Sequence, residues 1–261
     1  MRVKELYEAL DARIPGSLSC EWDNDGLMVC PDPDREVKRI LVCLDPTDRM
    51  VREAVDRHVD AMICHHPFLF SGLKTVDASQ AKGDLCVRLI RAGCSVMCFH
   101  TRLDALSGGV NDCLAARIGL SASTVRPFPG EGLPMGRIGD LPEETDLDAF
   151  AEYVRTVLCA DAVRYSGAGK PVRRVAVLGG SGKDEVQSAI QAGADTFVTG
   201  ELGYHTLIEA NELGINLIEA GHFETEDPVT QVLAGFVAEI LPEADIIRLS
   251  SRCIRTANKK E

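Results

Sequence analysis

Short apolar runs alternate with amphipathic stretches along most of the chain, the pattern of β-α-β units. Val3, Leu6, Tyr7 and Leu10 recur at helical spacing until Pro15-Gly16 ends the helix. Asp23-Asn24-Asp25-Gly26 reads as a turn ahead of a short strand at 27–29, with the only Trp at its edge. Residues 39–44 read as a buried strand, and Asp45-Pro46-Thr47-Asp48 as a turn carrying helix-capping residues. Val51, Ala54 and Val55 then mark a helix. A second apolar strand, 60–64, runs into His65-His66, and Pro67 stops it. Residues 111–125 read as helix then loop, and 127–142, rich in Pro and Gly, as a connector. Asp146 is placed to cap a helix bearing Leu147, Phe150, Val154 and Leu158. Residues 228–241 form another amphipathic helix, 244–249 a last strand, and the tail from Thr256 is expected to fray.

The plan repeats. Residues 174–178 form a strand, Gly179-Gly180-Ser181-Gly182 a turn, and Val186, Ala189 and Ile190 a helix stripe, and Ala194-Asp195 leads into a strand at 196–199. At one constant offset 175 falls on 40, 186 on 51, 190 on 55, 195 on 60 and Glu201 on His66. After extra loop in the first copy, between 71 and 84, the match resumes: Arg91 to His100 and Glu212 to His222 both run helix end, Gly, strand, histidine. Asp104 follows His100 by four residues, as Glu226 follows His222. Two α/β units related by a pseudo-twofold axis, 1–126 and 127–261, with a metal site between them, are therefore expected.

Adjacent strand side chains point to opposite faces, so His65 and His66 can converge only if the chain turns at the strand end. The polar residues gathered at the carboxyl ends of the strands are His65, His66, His100, Asp104, Glu201, His222 and Glu226. Ligands of open α/β sheets bind there. Burying so many ionisable groups is costly unless something pairs them, and a divalent metal pair would. Mixed His and carboxylate ligation suits Zn, Fe, Mn or Co. Asp104 and Glu226 are candidates for bridging two ions.

Composition narrows the functions. A net charge of -12, with no block of like charges, argues against nucleic acid or anionic membrane as the main partner. An anionic substrate would need metal or backbone amides to hold it. Ten cysteines without a C-x-x-C pair, no apolar leader and no apolar run of membrane length point to a cytoplasmic protein with reduced, mostly core thiols. Cys64 is read as strand core sooner than as a soft ligand. The glycines at 179–182 followed by Lys183-Asp184 fail the Walker pattern, and a tight β-α turn whose amides could hold an anion is expected. Glu201 and His205 are assigned to substrate contact or to supporting the site. His58 is placed in a helix, exposed.

The motifs W-D-N-D-G-L (22–27), H-H-P (65–67), H-T-R-L-D-A-L-S-G-G-V-N-D (100–112), T-G-E-L-G-Y-H (199–205) and G-H-F-E-T-E (221–226) stand in the order seen in one family. The chain resembles the GTP cyclohydrolase 1 type 2 homologues, the Nif-like dinuclear metal proteins, over nearly its whole length. The resemblance implies two divalent metal ions per subunit held by His65, His66, Asp104, His222 and Glu226, with Glu226 shared. His100 is then near the site without being a primary ligand. Toroidal hexamers with the metal sites facing an inner cavity are implied as well. Arg102 stands where the family often has Asn, and either adds a cation for an anionic substrate or faces solvent.

The family name implies a reaction in which activated water attacks C8 of the GTP purine and formate is lost, with His100 or His205 moving protons. A dinuclear hydrolase acting on GTP or another small anionic substrate, with His100, His205 and Glu201 as candidate catalytic residues, is the leading reading. The alternative is a metal-binding regulator or metal-delivery protein without turnover. A storage site would more often recruit the abundant cysteines.

Overall fold

A computed structural model describes residues 1–128 and 133–257. Part of the expected 127–142 connector, 129–132, and the last four residues of the expected frayed tail lie outside the described residues. In chain order, α1 (Val3–Arg13) precedes β1 (Gly26–Val29), β2 (Arg39–Cys43), α2 (Asp48–Asp56), β3 (Ala61–Cys64), α3 (Ala81–Ala92), β4 (Ser95–Cys98) and the short α4 (Thr101–Ala105). Then come α5 (Val110–Arg117), β5 (Arg126–Pro127), β6 (Arg137–Thr145), α6 (Leu147–Val157), β7 (Arg164–Ser166), β8 (Val172–Ser181), α7 (Val186–Gln191) and β9 (Thr196–Glu201). The rest is α8 (Tyr204–Ile208), α9 (Ala210–Leu213), β10 (Asn216–Glu219), α10 (His222–Glu226), α11 (Val229–Ile240) and β11 (Asp245–Arg248). No helix among the described residues is long and apolar enough to cross a membrane.

The contacts define two compact units. One is Met1–Leu103 with Val229–Ser251, and the other is Asp104–Pro228 with the segment from Arg252. This differs from a single division at 126/127. The chain changes unit inside α4, and it changes back because β11 pairs with β2, Ile246 opposite Ile40. Hydrophobic patterning marks the elements but not which strand a distant one will join.

Among the described residues the first unit has a five-stranded sheet, β1-β4-β3-β2-β11, parallel except for β1. All four positions of β3 and of β4 are buried, as expected of parallel strands covered on both faces. Leu41, Met62 and Val96 pack with Met50, Val51 and Ala54 of α2 and with Leu85 and Leu89 of α3. Ile40, Val42 and Ile63 alternate to the other side and are equally buried, and α11 packs against β2 with α1 beside it. Thr47 caps α2, its hydroxyl accepting from the Met50 amide.

The second unit has a six-stranded sheet among the described residues, β5-β6-β8-β9-β10-β7. β8, β9 and β10 are parallel, whereas β7 runs antiparallel on β10 and β6 antiparallel on β8. Val175, Val177, Val198 and Ile218 meet Phe150 and Val154 of α6 and Leu114 of α5 on one face. Ala176, Phe197 and Leu217 meet Val186 and Ala189 of α7 on the other. Asp146 caps α6 by accepting from the Ala149 amide.

The internal repeat is visible in both sheets. β2-β3-β4 with antiparallel β1 has the same succession as β8-β9-β10 with antiparallel β7. Each copy carries the same aspartate device at its strand entry. Asp60 accepts from the backbone amides of Lys38 and Arg39, and Asp195 from those of Arg173 and Arg174. Gly93 and Gly214 end the matching helices in the left-handed conformation that glycine adopts without a Cβ clash.

Several expectations are corrected. Much of the expected connector is strand: β6 spans Arg137–Thr145, and Pro142 lies where its pairing with β8 is interrupted between Asp140 and Thr145. Proline has no N–H to give a ladder, so it sits at such a break. The turn expected at 179–182 is shorter, because β8 continues through Ser181. His58 is exposed as expected but lies beyond the end of α2, with φ 53.

The Asp60 carboxyl is pushed up by burial, but the amides of Lys38 and Arg39 and the Arg35 guanidinium outweigh this and hold it below its usual value. A carboxyl depressed in the folded state adds stability that is present above the unfolded pKa of about 3.9 and is lost as pH falls through the lower folded value. Asp60→Asn is therefore expected to lower stability at neutral pH and to flatten its acid limb below about pH 4. Urea midpoints measured from pH 2.5 to 7 check this, and parallel curves for variant and parent would refute it.

Candidate metal centre

β3 ends at Cys64, and the chain bends there, the His66 amide donating to the Leu44 carbonyl. That bend brings the two imidazoles together, with ring centroids 4.9 Å apart. His100, just past β4, completes a cluster at 5.3 Å from the His65 ring and 5.7 Å from the His66 ring. Ligand-capable nitrogens of these three residues all lie within 4.8 Å of one another. His65 is fully buried, and the other two are partly so.

Each Nδ1 faces an atom that can only accept. His65 Nδ1 is 3.0 Å from the Phe99 carbonyl, His66 Nδ1 2.6 Å from Asp45 Oδ1 and His100 Nδ1 2.8 Å from Asp23 Oδ1. Carbonyl and carboxylate oxygens have no proton to give, so Nδ1 carries the hydrogen of each contact and Nε2 is the ring atom that a cation could take. Asp45 is held in turn by the Ser251 hydroxyl at 2.8 Å. Ligating histidines are oriented by a carboxylate or carbonyl in this way.

Asp23 and Arg102 differ from what the sequence suggested. The Asp23 side chain is fully buried and accepts from His100 Nδ1, the Thr101 amide and the Thr101 hydroxyl. Burial raises its carboxyl, yet the bonds from His100 and Thr101 win and hold it well below the usual carboxylate range. Asp23 thus orients a histidine as well as standing in the turn expected at 23–26. Arg102 does not face solvent. It is buried, donates to both oxygens of Asp25 at 2.7 and 2.8 Å, and also meets Asp11 and the Ile14 carbonyl.

In the second unit His222 opens α10 and Glu226 closes it, one turn on, with His222 Nε2 3.2 Å from Glu226 Oε2. Glu226 is buried, and Glu201 at the end of β9 faces His222 Nδ1 at 3.0 Å. A Cβ on Gly180, which has φ +68, would collide with the Glu226 carboxylate, so glycine there makes room for it. Asp104 is buried and tied to the same turn: Asn111 donates to its carbonyl at 3.2 Å and accepts from the Gly179 amide at 2.7 Å.

The equal His-x₃-carboxylate spacing hides a structural difference. α4 starts after His100, whereas α10 starts at His222. His222 and Glu226 therefore share a helix face and touch, while His100 turns to Asp23. His205 lies exposed on α8 with its ring against Tyr204. The anion-binding reading of the glycine turn is lost, since the amides of Gly179, Gly180 and Gly182 serve Asn111, Thr225 and Glu201. Cys64 is fully buried, 3.5 Å from Cys43, and burial pushes its thiol up, as a core thiol requires. Asp45 and Asp23 were missed as histidine partners, because only the fold brings them opposite rings 21 and 77 positions away.

Imidazoles with locked Nδ1–H groups and buried carboxylates are a donor set able to hold a divalent cation. The sequence profile of the Duf34/NIF3 (NGG1p interacting factor 3) family matches residues 1–256. A Streptomyces coelicolor protein named GTP cyclohydrolase 1 type 2 homolog is 35% identical over 249 residues, covering 92% of this chain and 86% of that protein. One of the same name from Clostridium acetobutylicum is 30% identical over 238 residues, covering 90% and 88%. The crystal structure of Staphylococcus aureus protein SA1388 matches with a TM-score of 0.84 at 25% identity, over 100% of this chain and 99% of that one.

Proposed function

The chain belongs to the DUF34/NIF3 family, and from that premise we propose that it is a dinuclear metal-dependent hydrolase of small anionic substrates, GTP among them. Two divalent cations, Zn, Fe, Mn or Co, would be held by His65, His66, Asp104, His222 and Glu226, with Glu226 shared between them. The observation that carries this reading is that His65 and His66 each have Nδ1 engaged by an acceptor, which presents Nε2 as the coordinating atom, and that His222 meets Glu201 through Nδ1 and the buried Glu226 carboxylate through Nε2, a pair that a cation would bind together. Asp104 belongs to the set because it lies one helical turn beyond His100 and is bonded through Asn111 to the turn that cradles Glu226.

Bound cations would supply Lewis-acid activation of water and of the scissile centre. The protein's own groups do the rest. Asp23 keeps the His100 proton on Nδ1, so Nε2 of His100 can accept a proton during attack and return it to the leaving group. Glu201 positions His222, and His205, exposed on α8, contacts substrate or relays protons. With Arg102 committed to Asp25 and Asp11, the substrate's negative charge is met chiefly by the cations. A hexameric, cytoplasmic protein is part of the same proposal.

Protein purified anaerobically, with its metal content measured, is incubated with GTP and formate release is followed. Release that stops with a chelator and returns with metal is the expected result. Tight, reversible metal binding without turnover of GTP or of a phosphoester panel would instead establish a regulatory or metal-delivery protein.

A further inference from the structure

The chain's single tryptophan lies on its surface. Trp22 is 63% exposed and Phe70 56% exposed. Leaving two large rings in water forgoes burial that ordinarily stabilises a fold. Their centroids are 6.3 Å apart with planes tilted by 55°. His100 stands steeply to both rings, 6.3 Å from Trp22 at 76° and 6.4 Å from Phe70 at 83°. The exposed rings therefore form the rim of the histidine cluster.

Both rings are carried on anchored backbone. Asp23, next to Trp22, is bonded to His100 and Thr101, and the Asn24 side chain donates to the carbonyl of Leu69, next to Phe70. These bonds join the two loops, one before β1 and one after β3. Arg102 is committed to carboxylates of its own unit, so it does not supply recognition at this rim. What the rim offers is π-faces held in place, the feature that recognises flat rings irrespective of their hydrogen-bonding edges.

We propose that Trp22 and Phe70 are specificity-determining residues that take the flat face of a heteroaromatic ring of the substrate and hold it beside His100. The proposal rests on the hydrolase reading of the same site and commits it to substrates with a planar ring, such as nucleobases.

Trp22, as the only tryptophan, reports on its own site. With the full chain, metal-free and metal-loaded, GTP and guanosine are expected to quench its fluorescence, while inorganic triphosphate leaves it unchanged. Phe70→Leu keeps the bulk and loses the ring. It and Trp22→Leu are expected to weaken GTP binding about 5- to 150-fold by equilibrium dialysis, with metal content and triphosphate affinity unaltered. Phe70→Tyr should bind as the parent does. Absence of quenching by both guanosine and GTP, or parental GTP affinity in Phe70→Leu, overturns the proposal. So does a change of oligomeric mass without a change in affinity, since the rings would then be a subunit contact. Formate release with unchanged affinity in Phe70→Leu defeats this inference alone. Ring-dependent binding without any turnover defeats the hydrolase reading and leaves the aromatic rim standing.

Discussion

Glu226→Gln is expected to release at least one equivalent of metal while the protein stays folded. The side chain is buried, meets His222 Nε2 at 3.2 Å and occupies the space left by Gly180. Glutamine has the same shape but no charge, and one of the two carboxylate oxygens becomes an NH₂ group. Loss of a group that merely orients a ligand already weakens metal binding about 10- to 100-fold, so loss of Glu226, on the proposal that two ions share it, should exceed that. The metal-free fold should tolerate the change, because removing a buried negative charge relieves a desolvation cost. Elemental analysis after dialysis, with circular dichroism and a thermal melt beside it, makes the comparison. Full occupancy in the folded variant would remove Glu226 from the centre.

Asp25→Ala is expected to cost the fold on the order of 3–5 kcal/mol, the usual penalty when one partner of a buried ion pair is deleted. The Arg102 side chain is 5% exposed and that of Asp25 4%, and the pair is bidentate. Deleting the carboxylate leaves the guanidinium buried with Asp11, itself 43% exposed, and the Ile14 carbonyl. Asp25 also accepts from the Ser19 hydroxyl and the His100 amide, so the loop that carries Trp22 and Asp23 loosens with it. The urea midpoint should fall sharply, and the double variant Asp25→Ala/Arg102→Met should recover much of the loss, since no unpaired charge then remains. Equal losses in the single and double variants would show that the pair contributes through packing alone.

The two aspartates of the 23–26 turn show where reading along the chain stops. Local chemistry recognises Asp23-Asn24-Asp25-Gly26 as a turn, and β1 does begin at Gly26. It does not show that Asp23 will meet His100 and Asp25 will meet Arg102, because both partners arrive through the pairing of β1 with β4. The same limit applies at β11, whose apolar run is plain but whose place beside β2 depends on a contact more than two hundred positions away.

Residue order alone determined the α/β class, the repeated β-α-β plan, the end of β3, the start of α6, and the placing of a histidine just past each of several strands. These follow from side-chain periodicity and capping, which act over a few residues. The tertiary structure decided which ring nitrogen of His65, His66 and His100 meets an acceptor, that Arg102 serves the fold, and that His222 meets Glu226 while His100 turns to Asp23. Those outcomes depend on acceptors and helix starts positioned by long-range packing, which no local pattern encodes.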